Sequence, residues 1–526
     1  MQQARSESQM FTYQTRLALD DKASFILSQY ASIMCKIERT LFADIQSGKD
    51  ASCLKSEYLK RFEITARQFN ALRAQLEGKI ASIKEVCKDR IDDLTQNIEL
   101  LEKKIPKIAN EQTRHQKKRR LLLLENKRQA LQDDEASGKV RLCFGSRKLF
   151  RAQFYLEENG YNSHAEWKDD WHSSRDNQIF LLGSKDETSG NQSCTARIQE
   201  DNSLTLRLRL PNKMSSQFGK YIEIPNVKFK YGHEAILASL FSCLHRKNGE
   251  KESGLAITYR FLKDKKGWKL FISTPLEKPK MSSNAQSGAI GVDINIDHLA
   301  VVELDRYGNC IKHRQIPLSL YGKNRAQAKA LIGDAAKEVI NWCLETKKPL
   351  VLETLCFQNK KTTLREEVGP KLARDLSSFA YNAIIQALKS RAFRFGVEVY
   401  QVNPAYTSVI GRCTYADKYG LTVHEAAAMV IARRFLGVSE RLPRNLDRVP
   451  DGKGGHVTLS LPVRNRDKHV WTSWRQVRRD LRVALAGQIR ATKSRSSRPL
   501  PVCCESNISD FAGENPAHES SAALFG

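Results

Sequence analysis

Three polar positions interrupt apolar segments in the C-terminal half of the chain. Asp293 lies inside "AIGVDI", Glu353 lies near the end of "PLVLETL", and the pair His424-Glu425 opens a helical segment after "KYGLT". An ionised carboxylate in a buried strand is costly unless it is paired or bound to a metal ion. Such groups from distant parts of the chain need a common partner, and a divalent cation is the most economical one.

Oxygen ligands that leave room for water and phosphate suit Mg²⁺ or Mn²⁺. Two such ions about 4 Å apart activate a water and stabilise the leaving oxygen of a phosphodiester. In this hypothesis Asp293 bridges both ions, Glu353 binds one of them, and His424 or Glu425 completes the second site or orients the attacking water. Each residue alone has a structural alternative, because a lone Asp in a strand is as often an ion-pair residue and Glu is a normal capping choice in a first turn.

The elements that must position these residues follow the polar linker 281–288. Strands "AIGVDIN" and "HLAVVELD" predict a hairpin, and a helix is expected around 323–347. The strand "KPLVLETL", a helix over 369–395, the strand "GVEVYQVNP" and a helix beginning near Thr422 come next. A hairpin followed by alternating helix and strand predicts a mixed α/β sheet over 289–440.

The remaining regions differ in composition and in hydrophobic pattern. Residues 1–21 contain one possible strand, and helices should dominate 22–138, because its stretch from 22 to 134 holds only two Gly and one Pro. Alternating segments such as "SLTLRLRL" predict an antiparallel sheet or small barrel over 139–280. The basic region 441–526 is expected to be partly disordered, because its stretch from 441 to 500 carries 15 Lys or Arg among interspersed Pro and Gly. The chain is therefore predicted to be a multidomain α+β protein.

Positive charge dominates the chain, with 86 Lys+Arg against 59 Asp+Glu and a net charge of +27. Such an excess draws a protein to polyanions, of which nucleic acid is the commonest. A solvated charged surface is the alternative for any single cluster. The candidate nucleic-acid contacts lie in the predicted helical hairpin, after Glu353, beside "NPAYTS" and on the last helix: Lys117, Lys118, Arg119, Arg120, Lys127, Arg128, Lys360, Lys361, Tyr406, Thr407, Ser408, Arg412, Arg433 and Arg434.

Several classes of site and location are disfavoured by what the sequence lacks. The twelve Cys include no C-x-x-C pair, so neither a zinc ribbon nor a disulfide framework is predicted. There is no G-x-S-x-G elbow and no phosphate-cradling G-x-x-x-x-G-K motif. The N-terminus lacks an apolar signal core and no run of 18 apolar residues occurs, so a cytoplasmic, nucleoid-associated protein without a membrane partner is expected.

The order of "GVDIN", "HLAVVELDRYGN", "PLVLETL", "NPAYTS" and an Ala-rich helix resembles the RuvC-like nuclease domain of TnpB proteins of insertion sequences. That family shares the RNase H fold with CRISPR type V effectors. The resemblance covers about residues 289–437. The segments "FGSRKLF", "GSKDETSGNQ" and "VHEAAAMVIARR" are similar to a divergent branch of TnpB-related accessory proteins of transposons.

This resemblance implies an RNA-guided DNA endonuclease. A helical recognition lobe, here 22–138, and a wedge β-barrel, here 139–280, would hold a guide RNA, while the RuvC-like site cuts DNA. Base pairing would supply sequence specificity, and the protein would read a short flanking motif and the shape of the heteroduplex. Asp293 falls on the family's first Asp and Glu353 on its Glu.

Two positions depart from the family pattern. Typical members read D-x-N-A-A-x-N-I in the third segment, whereas "HEAAAMVI" places His424 at the Asp position and Ala426 at the Asn position. Histidine can replace a carboxylate as a metal ligand. Typical members also carry two C-x-x-C pairs after "NPAYTS", whereas this connection holds only Cys413, so no zinc site is expected.

Three functions fit these observations. The first is an active, Mg²⁺-dependent, RNA-guided DNA endonuclease. The second is a guide-RNA and DNA-binding regulator whose cleavage site is impaired by His424. The third, a transposase that joins strands by the same chemistry, is disfavoured because such enzymes do not share the TnpB layout. Retention of both Asp293 and Glu353 favours the endonuclease.

The substitution Asp293→Ala is predicted to abolish Mg²⁺-dependent DNA cleavage and to leave RNA binding intact. The physical reason is that the carboxylate serves the metal site, whereas RNA phosphates are held by cationic surfaces elsewhere. Plasmid cleavage and RNA copurification, measured on the same preparations, check the two halves of this prediction. Undiminished cleavage by the variant would refute the assignment of Asp293.

Overall fold

The computed structural model describes residues 9–244, 255–276, 279–354, 378–438, 440–452, 454–463 and 469–496. Two compact units divide the chain. The N-terminal unit comprises residues 1–282, 356–382 and 389–396, and the C-terminal unit comprises 283–355, 383–388 and 397–526. Within the described ranges, no helix combines the length and the apolar composition needed to cross a membrane.

The helices, in chain order, are α1 (Asp21–Gln46), α2 (Lys55–Phe62), α3 (Ala66–Lys104), α4 (Glu111–Ala136), α5 (Arg147–Ala152), α6 (His164–Arg175), α7 (Asn212–Phe218), α8 (His233–Leu244), α9 (Arg325–Thr346), α10 (Ser378–Arg394), α11 (Thr407–Ile410), α12 (Asp417–Tyr419), α13 (Val423–Phe435) and α14 (Trp471–Ser496). Local capping explains where the long ones begin. The Asp20 carboxylate accepts a hydrogen bond from the Ala23 amide, and Thr65 with Gln68 forms a capping box at α3. The expected helical character of residues 22–138 is present.

The strands are β1 (Gln9–Arg16), β2 (Gln178–Leu181), β3 (Cys194–Ile198), β4 (Leu204–Arg209), β5 (Tyr221–Val227), β6 (Thr258–Asp264), β7 (Gly267–Leu276), β8 (Ala289–Ile294), β9 (His298–Leu304), β10 (Cys310–Pro317), β11 (Leu350–Glu353), β12 (Val399–Val402), β13 (Val449–Pro450) and β14 (His456–Val457). In the N-terminal unit they form a sheet of order β1-β7-β6-β2 and a second of order β3-β4-β5, both antiparallel. The described strands thus confirm the antiparallel pairing that was predicted, and they form two separate sheets rather than one barrel.

One hydrophobic core joins helices and sheets in the N-terminal unit. It contains Leu27 and Tyr30 of α1, Phe69 of α3, Leu206 of β4 and Phe261 of β6, all fully buried. In β4 the alternating Leu residues face this core, as "SLTLRLRL" predicts. The helical and β-rich regions predicted over 22–138 and 139–280 therefore share one core rather than each enclosing its own.

The C-terminal unit is built on a five-stranded sheet of order β10-β9-β8-β11-β12. Strands β10, β9 and β8 pair antiparallel, and β8, β11 and β12 pair parallel. The mixed α/β sheet expected from the hairpin and the alternating elements is confirmed. The predicted helix over 369–395 is seen as α10 from Ser378, and residues 369–377 lie outside the described ranges.

Helix α13 packs unusually close to β8 because small residues face each other. A Cβ atom at Gly291 would come within 2.1 Å of the Ala428 carbonyl oxygen and 2.9 Å of the Ala432 Cβ. Ala428 and Ala432 are four residues apart, so both lie on the helix face that meets the strand. His424 is one further step of four toward the N-terminus, which carries it to the level of Asp293, two residues after Gly291.

The C-terminal segment is more ordered than its composition predicts. Trp474 and Val477 of α14 are fully buried, and Leu446, Val449 and Val457 pack into the same core as α13. The Trp474 indole N–H donates to the Glu440 carbonyl at 2.9 Å. A few apolar anchors at helical spacing outweigh the high charge in this described part, and the partial disorder expected of 441–526 stays a prediction.

Replacement of Gly291 by Ala is expected to lower the free energy of unfolding of the C-terminal unit by about 3 kcal/mol or more, because the added methyl meets backbone rather than a movable side chain. Hydrogen exchange of β8 and α13 peptides measures the effect. The matched control is Gly333→Ala within α9, where a Cβ has open space. That control should gain up to about 1 kcal/mol, and equal effects at both glycines would contradict the close approach.

Candidate functional site

Asp293 occupies the end of a strand whose six residues are all buried. Its own side chain is 12 % exposed. The Asn295 side-chain amide donates to Asp293 Oδ2 at 3.2 Å, and the His424 imidazole Nδ1 lies 3.2 Å from the same oxygen. An ionised carboxylate only accepts hydrogen bonds, so the His424 Nδ1 carries the proton in this contact. The Nε2 of His424 is then the nitrogen with the free lone pair.

Glu353 ends strand β11, the parallel neighbour of β8. The two strands pair Leu350 with Ile290 and Val351 with Gly291. Two further residues along each strand align Glu353 with Asp293, and the alternation of strand side chains places both on one face. Glu353 is buried, and the Thr407 hydroxyl donates to its Oε1 at 2.7 Å. The fold therefore brings two buried carboxylates to the same edge of the sheet.

His424 lies in the first turn of α13 and is half exposed. Its ring meets the His298 ring edge-on with centroids 5.2 Å apart. His298 is held in turn by Asp297, whose Oδ1 is 2.7 Å from the His298 Nδ1. The hydrogen bond from His298 lowers the pKa of Asp297, and burial opposes this shift. The site thus combines two carboxylates with two imidazoles.

The donor chemistry of Asp293, Glu353 and His424 is that of a divalent-cation site, with carboxylate oxygens and one imidazole nitrogen. Within the described ranges, however, no three His, Cys, Asp or Glu residues are gathered closely enough to hold a metal ion. The Asp293 Oδ2 is occupied by its own hydrogen bonds, and Glu353 Oε1 accepts from Thr407. The residues therefore fit a metal ion by type, although the described side chains are not gathered into a three-ligand group.

Glu425 does not join this site. Its Oε2 accepts from the Thr422 amide at 3.0 Å and from the Thr422 hydroxyl at 2.7 Å, which forms a capping box. Its Oε1 lies 2.9 Å from the His313 Nδ1. The predicted alternative of Glu425 as a ligand or water-orienting base is thus replaced by a structural role. The capping role was the ordinary alternative for a Glu at this helix position.

The residues of "NPAYTS" divide among several roles. Thr407 is buried against Glu353, whereas Ser408 is exposed. Tyr406 has a left-handed backbone (φ 63°) and its ring centroid lies 6.1 Å from that of Trp471. Arg412 is half-buried, and burial lowers the pKa of its guanidinium. The turn alternative therefore describes Tyr406 and Thr407 well, and Ser408 is the exposed one of the four predicted contacts.

Arg433 and Arg434 brace the C-terminal unit internally, and their predicted nucleic-acid contacts stay a prediction. The Arg433 guanidinium donates to the Gly308 carbonyl and lies 4.8 Å from the Tyr415 ring centroid. Arg434 pairs with Glu440 at 2.6 Å and donates to the Ala405 carbonyl at 3.0 Å. Only 13 % of the Arg434 side chain is exposed. Sequence alone places these residues on α13 but cannot show which face they occupy.

The predicted basic cluster on α4 is largely accessible. Lys118, Arg119, Arg120 and Lys127 are exposed, and Lys117 and Arg128 are half-buried. This helix belongs to the N-terminal unit, whereas Asp293 and Glu353 belong to the C-terminal unit. Lys360 and Lys361 lie outside the described residues.

Asn295 and His298 were not among the predicted site residues. Both surround Asp293 through contacts with its carboxylate or with His424. Their closeness to Asp293 could have been predicted from the sequence, because Asn295 is two residues after Asp293 and His298 begins the second strand of the same hairpin. Thr407 was predicted, but as a nucleic-acid contact rather than as the hydrogen-bond donor to Glu353.

Comparison with known proteins finds similar folds only among solved structures. No protein-family model and no curated protein matches the chain. T. thermophilus RuvC in complex with Holliday junction substrate matches at 17 % identity and a TM-score of 0.21, covering 27 % of this chain and 89 % of that chain. A CRISPR-Cas12f ternary complex matches at 13 % identity and 0.19, covering 81 % and 98 %. Because these TM-scores are far below 0.5, the functional argument rests on the geometry above.

The capping role of Glu425 predicts a pH dependence. Burial raises the pKa of Glu425, but hydrogen bonds from His313 and Thr422 outweigh it and the net shift is downward. A lowered folded-state pKa stabilises the fold above the unfolded value of about 4.3, and this contribution is lost as the pH falls through the folded value. The stability advantage of the wild type over Glu425→Gln should therefore be constant near neutrality and shrink below about pH 4.

Urea midpoints measured across this pH range check the prediction. Glu345→Gln is the control, because Glu345 is exposed at the end of α9 and should leave the pH profile unchanged. Parallel profiles for wild type and Glu425→Gln at every pH would show that the capping box does not couple to protonation.

Proposed function

We propose that this chain is a transposon-associated, RNA-guided DNA endonuclease of the TnpB type with a RuvC-like catalytic site. The observation that carries this proposal is the alignment of Asp293 and Glu353 on neighbouring parallel strands, with His424 of α13 on Asp293. The sheet order is β10-β9-β8-β11-β12, and β9 runs antiparallel to both of its neighbours, β10 and β8. This arrangement agrees with an RNase H-like fold. Burying two carboxylates at one sheet edge is costly, and a shared cation would offset that cost.

In this proposal Asp293, Glu353 and His424 hold Mg²⁺ or Mn²⁺, which supplies charge stabilisation and an activated water for phosphodiester hydrolysis. Thr407 fixes the orientation of Glu353 through its hydrogen bond. Asn295 does the same for Asp293. Asp293 also fixes the tautomer of His424, so that Nε2 is free to bind a ligand or to accept a proton from the attacking water.

The nucleic-acid partners are proposed from charge. A net charge of +27 and the accessible cations of α4 suit a guide RNA and a DNA target. Under this proposal sequence recognition belongs to RNA–DNA pairing, and the protein contacts the backbone. Affinity should therefore fall steeply as the salt concentration rises.

A second function is favoured by specific observations. The third position of the site is His424 instead of Asp, Glu425 is engaged in the capping box, and the described residues form no three-ligand group. These features suit an RNA-guided DNA-binding regulator that has lost cleavage. The two functions share the same partners and differ only in hydrolysis.

The decisive experiment sequences the RNA that copurifies with the full chain and then tests that complex on a plasmid matching the RNA. With Mg²⁺ the endonuclease cuts the matching plasmid and leaves a mismatched plasmid intact. His424→Ala should abolish cutting, whereas His424→Asp should retain it because a carboxylate supplies the same kind of ligand. Glu345→Ala, an exposed acid on α9, is the matched control and should cut like the wild type.

Each other outcome has a defined meaning. Specific binding to the matching plasmid without cutting, in both the wild type and His424→Asp, would establish the regulator. Cutting that persists in Asp293→Ala would place the reaction elsewhere. The absence of any guide-like RNA would contradict both functions.

A further inference from the structure

The N-terminal unit contains a cavity that none of the functional arguments above uses. Its volume is about 1030 Å³, and its walls come from α3, the end of α4, the segment 138–144, and helices α5 and α6. Ligand sites for small molecules usually span about 300–1,000 Å³. This cavity therefore has room for a ligand of several groups, such as a short stretch of polymer.

Positive charge dominates the wall. Nine Lys or Arg side chains line the cavity, against two acidic residues, Asp134 and Glu135. Asp134 is already paired with Arg141 at 2.6 Å. Most of the remaining cations form no ion pair within the described part of the chain: Lys84, Lys88, Arg90, Lys139, Arg147 and Arg151. So many like charges around one cavity repel each other and favour an anionic ligand.

Arg175 adds an unsatisfied donor to this wall. Its Nε is buried and has no hydrogen-bond partner among the described residues, while its Nη2 lies 2.9 Å from the His172 Nδ1. Burial lowers the pKa of Arg175, and the positive charge of Arg39 lowers it further. Arg39 is itself paired with Asp176, so the half-buried Arg175 is the group left with a buried donor, which a bound phosphate could satisfy.

Aromatic rings share the cavity with these cations. Phe150 is 45 % exposed, and its ring centroid lies 5.4 Å from that of Trp171. Trp171 stacks on the buried Trp167, with centroids 6.0 Å apart and planes 11° apart. The Trp167 indole N–H donates to the Leu149 carbonyl at 2.7 Å, which fixes this stack. Phe150 and Trp171 therefore form a supported aromatic surface within a cationic wall.

We propose that this cavity binds single-stranded nucleic acid, with a base stacked on Phe150 and Trp171 and the flanking phosphates held by the cations of α3, α5 and segment 138–144. A purely phosphate-binding site has no use for exposed rings, and duplex bases are stacked on one another and cannot reach them. Unpaired nucleotides combine both chemistries. This inference deepens the proposed function and rests on it only in requiring a nucleic-acid partner.

Binding is measured by fluorescence anisotropy with the full chain in EDTA, on labelled strands of about 12 nucleotides. Matched RNA and DNA strands distinguish the two sources of unpaired nucleotides, and a duplex of the same sequence tests the need for them. Single strands should bind at least about tenfold tighter than the duplex, because only they offer bases for stacking. Equal or tighter duplex binding would overturn the proposal.

Two double variants test the phosphate contacts. Arg147→Gln with Arg151→Gln removes two cavity cations and should reduce the slope of log affinity against log salt by about 1.4, since each contact to a single strand contributes about 0.7. Lys265→Gln with Lys266→Gln removes two exposed cations in the β6–β7 turn and is the matched control. A slope reduced equally by both pairs would overturn the cavity as the site.

The stacking contact has a separate readout. Phe150→Ala should weaken single-strand binding by about fivefold or more, whereas Phe150→Tyr should restore it. Binding of heparin, a polyanion without bases, should be the same for all three proteins. Photo-cross-linking of strands containing 4-thiouridine should map to peptides within residues 144–171 and disappear in Phe150→Ala.

Results that refute the cavity site differ from results that refute the proposed endonuclease. Cross-links found only outside residues 138–175 would overturn the cavity site even if the complex cuts DNA. Conversely, a protein that binds strands in this way but never cuts a guide-matched plasmid would retain the cavity site and lose the endonuclease. Thermal melts of every variant verify that the N-terminal unit is folded.

Discussion

The close approach of helix α13 to strand β8 is the constraint on which the candidate site depends. Gly291 has no side chain, and Ala428 and Ala432 present only methyl groups, so the backbones come nearly into contact. This contact sets the height of His424 above the sheet and brings its imidazole to the Asp293 carboxylate at 3.2 Å. Larger residues at these positions would move the histidine away from the acid without changing either catalytic candidate.

The cost of burying acidic residues explains much of the surrounding arrangement. Asp293 and Glu353 are each met by a hydrogen-bond donor, Asn295 and Thr407, that comes from a neighbouring turn or helix start. Glu303, another buried acid of the same sheet, is instead neutralised by Lys348 at 2.6 Å and by the Trp342 indole. Glu303 therefore has a structural role, whereas Asp293 and Glu353 belong to neighbouring parallel strands of the sheet.

The two units differ in the charged groups that they carry. The C-terminal unit contains the buried carboxylates Asp293 and Glu353, and the N-terminal unit contains an exposed basic helix and a cationic cavity lined by aromatic rings. Helices and two antiparallel sheets of the N-terminal unit share one core. Arg433 and Arg434 show the converse, since cations of the C-terminal unit can serve folding when carbonyls and Glu440 surround them.

The sequence by itself determined the elements and the identity of the two acids. Strand periodicity and apolar runs predicted the mixed sheet, because the hydrophobic pattern of a strand is a property of the local sequence. Asp293 and Glu353 stood out because a carboxylate in an apolar strand is anomalous wherever the strand lies. Only the tertiary structure decided that His424 and Thr407 contact them, because these two partners come from other elements. It also decided that Glu425 caps its helix, that Arg434 is a brace, and that α14 is packed by Trp474, since the face a helix buries depends on distant residues.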